Sequence, residues 1–283
     1  MFDINAPDQS LLVPLRMAAD ARLVAPAALD IAQRLDVPIE LFTAIGPDDD
    51  LDNSEERYLA AARHHFMERG VAVGVDIEVW EQPAWAVVEY CADRLVCMST
   101  SASPFDALHF TGSFTATILA RSSAPVFLVG PSATERDFGS DLRELVIAVD
   151  EDPNGSPVLI AADQLATRLG LSAVCARVAA SHAPWRSEAG QSSAVGTRAI
   201  ETIALRAGDS VGAALAQRAN DSLLVIGTHA RLGLDLIAAG SVLFDAVSVA
   251  RRPVLAMGPN LGAAPAAAPD PSHPIASRRH RLG

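Results

Sequence analysis

Residues 223–242 read Leu223-Leu224-Val225-Ile226, then Gly227-Thr228-His229-Ala230, then nine residues and Gly240-Ser241-Val242. The four apolar residues have the length and composition of a parallel strand that is buried on both faces. Glycine and small polar residues follow, which is typical of a loop, and serine is a preferred residue at the start of a helix. This stretch therefore predicts a strand, a glycine-containing loop and a helix beginning near Ser241.

The same pattern occurs 128 residues earlier in the chain (240 − 112 = 128). The pairs of identical residues that share this offset include Asp93 and Asp221, Gly112 and Gly240, Ser113 and Ser241, Pro125 and Pro253, and Gly130 and Gly258. Each copy ends in Gly-Pro, and a shared offset of this kind indicates a duplication. The sequence predicts a first domain over 1–131, a linker over 132–143, a second domain over 144–259 and a disordered tail over 260–283.

Apolar runs of strand length alternate with helical segments in both copies. Strands are predicted at 11–15, 39–44, 75–80, 95–98 and 126–129, and again at 145–149, 173–178, 223–226 and 254–257. Helices are predicted at 23–35, 55–69, 85–92, 156–169, 200–205 and 211–219, and from residue 241. Strands that alternate with helices indicate a parallel sheet with both faces covered. The predicted fold is α/β, with two tandem, doubly wound open sheets of the Rossmann-like kind.

The glycine loop of the second copy resembles the signature of the universal stress protein family. That signature is Gly, two residues, Gly, nine residues and Gly-Ser, and in the family it wraps the ribose and phosphates of ATP. The resemblance covers both copies and is supported by the strand–loop–helix context and the proline-led final strand. It implies a pseudo-twofold arrangement in which strands 126–129 and 254–257 pair antiparallel, because single-domain members of the family dimerise through that strand.

The resemblance also implies which residues bind the nucleotide. Asp150 and the backbone at Val178 would contact the adenine end of ATP, which would bind with or without Mg, and Gly227 would lie near the ribose. The residues expected near the phosphates are Ala230, Gly240, Ser241 and Val242.

Physical chemistry supports part of this assignment without the family. The chain contains no lysine, so backbone N–H groups, hydroxyls, arginine or a metal must hold a phosphate. Gly227 and Gly240 permit close approach of the backbone to a ligand, and the N–H groups of Ser241 and Val242 open a helix whose dipole favours an anion. His229 and Arg231 flank the loop and can reach phosphate oxygens. Plainer interpretations remain open: turn glycines, an Asp150 that caps a helix, and solvated His229 and Arg231.

Some positions depart from the family pattern. Ala230 stands where the family has glycine, which costs roughly 1–2 kcal/mol if a left-handed backbone is needed there. In the first copy, Ser99 matches Gly227, Ala102 matches Ala230 and Arg16 matches Asp150. We therefore expect one ATP per chain, bound by the second copy.

Composition narrows the function classes. The formal net charge of −12 disfavours nucleic acid as a partner, and no apolar run approaches the roughly 20 residues of a membrane-spanning helix. The three cysteines have no metal-ligand spacing, and no secretory signal precedes the first strand, so a cytoplasmic location is expected.

The predicted function is an ATP-binding stress-response regulator or sensor. The protein is predicted not to be an enzyme, and any ATP hydrolysis would be incidental. Whether it forms a homodimer or binds another protein remains open. The alternative is a nucleotide-free interaction module, and a nucleotidyl-transferring enzyme on a related fold is the least favoured interpretation.

Overall fold

The computed structural model describes residues 9–15, 18–46, 53–79, 88–91, 94–100, 114–138, 142–149, 157–179, 200–205, 208–228 and 242–261. Its strands are β1 (Leu11–Pro14), β2 (Ile39–Ile45), β3 (Val73–Val79), β4 (Leu95–Ser99), β5 (Val126–Val129), β6 (Glu144–Ala148), β7 (Ser172–Ala179), β8 (Ile200–Ala204), β9 (Leu223–Gly227) and β10 (Val254–Met257). Its helices are α1 (Ala18–Leu35), α2 (Asn53–Met67), α3 (Phe114–Arg121), α4 (Pro157–Leu169), α5 (Val211–Arg218) and α6 (Val242–Val249). A 3-10 helix covers Glu135–Asp137, and residues 88–91 are helical.

The ten strands form one sheet in the order β3-β2-β1-β4-β5-β10-β9-β6-β7-β8. All neighbouring pairs are parallel except β5 and β10, which are antiparallel. Buried side chains alternate along the strands, so that Leu145 and Ile147 pack on one face of the sheet and Val146 on the other. The first face is covered by α1, α2 and α4, and the second by α3, α5 and α6. The predicted doubly wound α/β fold is therefore confirmed.

One predicted element is wrong. Residues 200–205 were expected to form a helix, but Ile200–Ala204 is the edge strand β8, which pairs in parallel with β7. Three of its five residues, Ile200, Thr202 and Ile203, are β-branched and favour a strand. Two isoleucines three residues apart resemble the apolar spacing of a helix. In this strand, however, Ile200 packs on one face of the sheet and Ile203 on the other.

The two halves meet along a seam, which we define as the β5–β10 pair and the Gly-Pro segments that follow these strands. Phe127 lies opposite Leu255, with Leu128 opposite Val254 and Val126 opposite Ala256. Phe127 and Leu255 are themselves related by the offset of the duplication (255 − 127 = 128). The register is therefore symmetric about this pair, and the antiparallel pairing expected from the resemblance is confirmed.

Side-chain contacts across the seam are reciprocal. Ser132 Oγ donates a hydrogen bond to the carbonyl of Ser248 in the last turn of α6, at 2.8 Å. Asn260 Nδ2 donates to the carbonyl of Ala120 in the last turn of α3, at 2.7 Å. Both pairs obey the offset, since 260 − 132 and 248 − 120 both equal 128. Each half therefore satisfies a carbonyl at the helix end of the other half, where no partner exists within the helix.

Backbone packing at the seam is reciprocal as well. A Cβ atom on Gly130 would lie 1.9 Å from the carbonyl oxygen of Val247, and one on Gly258 would lie 2.2 Å from that of Leu119. Any larger residue would have to separate the halves. This contact is the physical reason why glycine ends the repeated block in both copies.

Candidate functional site

The second half has a topological switch point between β6 and β9. From β6 the chain continues to β7 and β8 on one side, and it then returns to place β9 on the other side of β6. Ala148 near the end of β6 lies opposite Ile226, one residue before the end of β9. Ligands of open α/β sheets bind at the carboxyl ends of the strands at such a point. The geometry therefore directs a search for a site to the ends of β6 and β9.

Gly227 ends β9, and its glycine identity has a packing cause. A Cβ atom at this position would lie 2.9 Å from a γ-carbon of Val158 in the first turn of α4. The sequence suggested that glycine allows a ligand to approach the backbone, but the structure shows that α4 approaches it. Close helix packing alone is therefore sufficient to explain this glycine.

Thr228, which sequence reasoning did not select, carries the most unusual polar group at this edge. Its N–H donates to the carbonyl of Met257 at 2.8 Å and so extends the β9–β10 pairing. Its hydroxyl oxygen is buried and has no hydrogen-bond partner among the described residues. Buried hydroxyls normally have a partner, and leaving one unpaired costs roughly 1–3 kcal/mol. An unpaired hydroxyl at a switch point is a candidate ligand contact.

The first half contains a matching threonine. Thr100 follows β4 at the same offset (228 − 100 = 128), and its N–H donates to the carbonyl of Val129 at 2.9 Å. Its hydroxyl is also buried without a partner among the described residues. The repetition of threonine at this offset is the signal in the sequence that could have identified the position.

Two other predicted site residues lie in described elements. Val178 is in β7, opposite Ile203 of β8, and its partly buried side chain packs on the second face of the sheet. Val242 opens α6 with 38% of its surface exposed, so the first turn of this helix reaches solvent. Asp245 lies in the same turn, where its carboxylate already stabilises the positive end of the helix. An anion bound there would therefore also experience repulsion from Asp245.

The remaining predicted residues, Asp150, His229, Ala230, Arg231, Gly240 and Ser241, lie outside the described residues. In the first half the same holds for Arg16, Ala102 and the Gly112-Ser113 pair. Ser99 is described and lies buried at the end of β4. Of the predicted second-half site, the structure describes Gly227 in β9, Val178 in β7 and Val242 in α6, and β6 lies between β9 and β7.

The described ranges contain no group of three or more His, Cys, Asp or Glu residues that could hold a metal ion. No described helix is long and apolar enough to cross a membrane.

Comparison with known proteins identifies the fold. No protein-family model and no curated protein sequence matches the chain. A universal stress protein from Archaeoglobus fulgidus DSM 4304 is similar in structure, with a TM-score of 0.62 at 15% identity over 90% of this chain and 98% of that one. The cytoplasmic domain of a prokaryotic cation chloride cotransporter matches with a TM-score of 0.50 at 14% identity over 91% of this chain and 98% of that one. Together with the doubly wound sheet, these similarities show that the chain has a universal stress protein-like fold.

Proposed function

We propose that the second half of the chain binds ATP at the carboxyl ends of β6 and β9, and that the protein is a cytoplasmic stress-response regulator or sensor without dedicated catalysis. The observation that carries the proposal is the Thr228 hydroxyl at the switch point of the sheet, which is buried and has no hydrogen-bond partner among the described residues. A ribose or phosphate oxygen is a suitable partner for such a hydroxyl. Magnesium enters the proposal as the counter-ion of ATP, which would offset the charge of Asp245.

The Thr228 hydroxyl gives a sharp test because removing it has opposite effects on stability and on binding. Thr228→Val keeps the shape of the side chain and replaces the unpaired hydroxyl with a methyl group, so the unliganded protein is expected to become as stable or more stable. ATP affinity is expected to fall by about tenfold, which corresponds to the roughly 1.4 kcal/mol of one lost hydrogen bond. Isothermal titration calorimetry with ATP, ADP and GTP measures the affinity, and urea unfolding measures the stability.

Thr100→Val is the matched control. Thr100 makes the corresponding backbone hydrogen bond in the first half, and its buried hydroxyl also lacks a partner within the part of the chain that the structure describes. We expect it to change stability as Thr228→Val does and to leave ATP affinity and the stoichiometry of one ATP per chain unchanged. If Thr228→Val binds ATP as tightly as the parent protein, the hydroxyl does not contact the nucleotide and the proposed site is wrong.

A nucleotide-free interaction module is the second candidate, because Val158 alone explains Gly227. The fold also occurs in the cytoplasmic domain of a cation chloride cotransporter. Mass spectrometry of nucleotide that co-purifies with the native protein separates the two candidates. Retained ATP supports the regulator, whereas an empty protein that also shows no binding heat supports the interaction module.

A further inference from the structure

We propose that Gly212 is a positioning residue that sets the place of the first turn of α6 and thereby tunes the phosphate-dependent part of ATP binding. The inference rests on the proposed function, because the family resemblance implies that the N–H groups of this turn bind the phosphates of ATP. Nothing in the glycine loop itself identifies Gly212, which lies on a different helix.

The backbones of α5 and α6 touch at Gly212. A Cβ atom at this buried position would lie 2.2 Å from the carbonyl oxygen of Val242 and 2.7 Å from the N–H nitrogen of Ala246. These two atoms are the acceptor and donor positions of an i to i+4 hydrogen bond that begins at the first residue of α6. Any side chain larger than hydrogen would therefore push the first turns of α5 and α6 apart.

Gly212 has no local reason to be glycine. Its φ angle lies outside the left-handed region, and a glycine inside a helix costs about 1 kcal/mol relative to alanine. The cost is offset only by what the glycine permits, which is the close approach of α6. In the first half, the residue at the same offset is Ala84 (212 − 128 = 84), so in this sequence the glycine accompanies Gly227 in the second half alone.

Helix α5 is held firmly enough to serve as a reference for α6. At its start, Ser210 Oγ accepts a hydrogen bond from the N–H of Ala213 at 3.2 Å and caps the helix. In its last turn, the Arg218 guanidinium pairs with Glu144 of β6 at 2.7 Å and with Glu201 of β8 at 2.8 Å. The helix is thus fixed to the sheet at one end and contacts α6 at the other.

The test enlarges Gly212 and compares a ligand with phosphates to one without. Gly212→Ala is expected to lower ATP affinity by about tenfold to a hundredfold, because the displaced N–H groups would lose one or two hydrogen bonds to the phosphates and each lost bond corresponds to about tenfold. Adenosine affinity is expected to stay within about twofold, since under the proposed function its contacts would lie at the ends of β6, β7 and β9 and not at α6. Hydrogen exchange of the N–H groups of residues 243–246 should also accelerate in the unliganded protein.

Gly258→Ala is the control for lost stability. Its Cβ would also lie 2.2 Å from a carbonyl oxygen, that of Leu119, but at the seam. We expect it to reduce stability to a comparable degree without changing the ratio of ATP to adenosine affinity. If Gly212→Ala does not fold, Arg218→Gln is the alternative variant. It loosens α5 at its other end without adding an atom at the α5–α6 contact, and it is expected to lower the ratio of ATP affinity to adenosine affinity about threefold.

Failure of this inference and failure of the proposed function give different results. If the parent protein binds both ligands and Gly212→Ala keeps their affinity ratio and the exchange rates of residues 243–246, Gly212 is an ordinary packing residue and this inference is overturned. If the parent binds neither ATP nor adenosine, the proposed function itself is wrong and the inference is overturned with it.

Discussion

Replacing Gly130 with alanine tests the seam between the two halves. An ideal Cβ atom at this position would lie 1.9 Å from the carbonyl oxygen of Val247, whereas ordinary contact begins at 3.4 Å. The strand end and α6 must therefore separate by about 1.5 Å, the difference between these two distances. An opening of that size also breaks the nearby hydrogen bond from Ser132 to Ser248.

These two effects set the expected magnitude. Overpacking costs roughly 1–3 kcal/mol and the lost hydrogen bond about 1 kcal/mol, so Gly130→Ala should reduce the free energy of unfolding by about 2–4 kcal/mol. In Gly258→Ala the added Cβ would lie 2.2 Å from the carbonyl oxygen of Leu119, so the free energy of unfolding should fall by somewhat less than in Gly130→Ala. Urea unfolding followed by far-UV circular dichroism measures both changes.

Gly74→Ala is the matched control for these two variants. Gly74 lies in β3, has no heavy atom within 4 Å of an ideal Cβ, and does not have a positive φ angle. Alanine there is expected to be neutral or to stabilise the protein by up to about 1 kcal/mol, because it restricts the unfolded chain. Equal stabilities for all three variants would show that the halves do not meet as described.

Two further predictions concern groups away from the seam. Arg218→Gln removes the ion pairs to Glu144 and Glu201, whose side chains are partly exposed, and should lower the free energy of unfolding by about 1 kcal/mol at low salt. If the loss is equally large in about 1 M salt, its origin is not electrostatic. Burial raises the thiol pKa of Cys91, Cys97 and Cys175, so these thiols should resist alkylation in the native protein at pH 8, as measured by mass spectrometry. Unfolded thiols ionise near pH 8.5, so the stability that the folded protein gains from keeping its thiols protonated is complete below that pH and declines as the pH rises above it. Full labelling of the folded protein would contradict the buried positions of the three thiols.

Patterns carried by consecutive residues predicted most of the fold. Strands β6, β9 and β10 read directly as apolar runs, and the offset of 128 residues between Gly112 and Gly240 indicated the duplication. The offset by itself does not show which strands meet; that came from the family resemblance. Strand β8 was missed because its isoleucines serve opposite layers, so that its spacing resembles that of a helix.

Contacts between distant segments were the part that the sequence did not predict. Gly212 needs the backbone of α6 beside it before its identity makes sense, and Thr228 becomes notable only when its hydroxyl is seen to be buried and unpaired. Asn260 was assigned to a disordered tail, yet its side chain caps α3 across the seam. Local propensity contains no information about such contacts, because their partners lie far away in sequence.

A dimer built from two copies of one gene product carries every substitution twice, once on each side of its axis. In this chain the two sides are encoded separately, so a change on one side leaves the other untouched. Ser99 can therefore occupy the strand end where the second half has Gly227. Gly130 and Gly258 lack this freedom, since each faces a carbonyl of the opposite half. Covalent fusion thus allows the two sides to specialise independently everywhere except along the seam that holds them together.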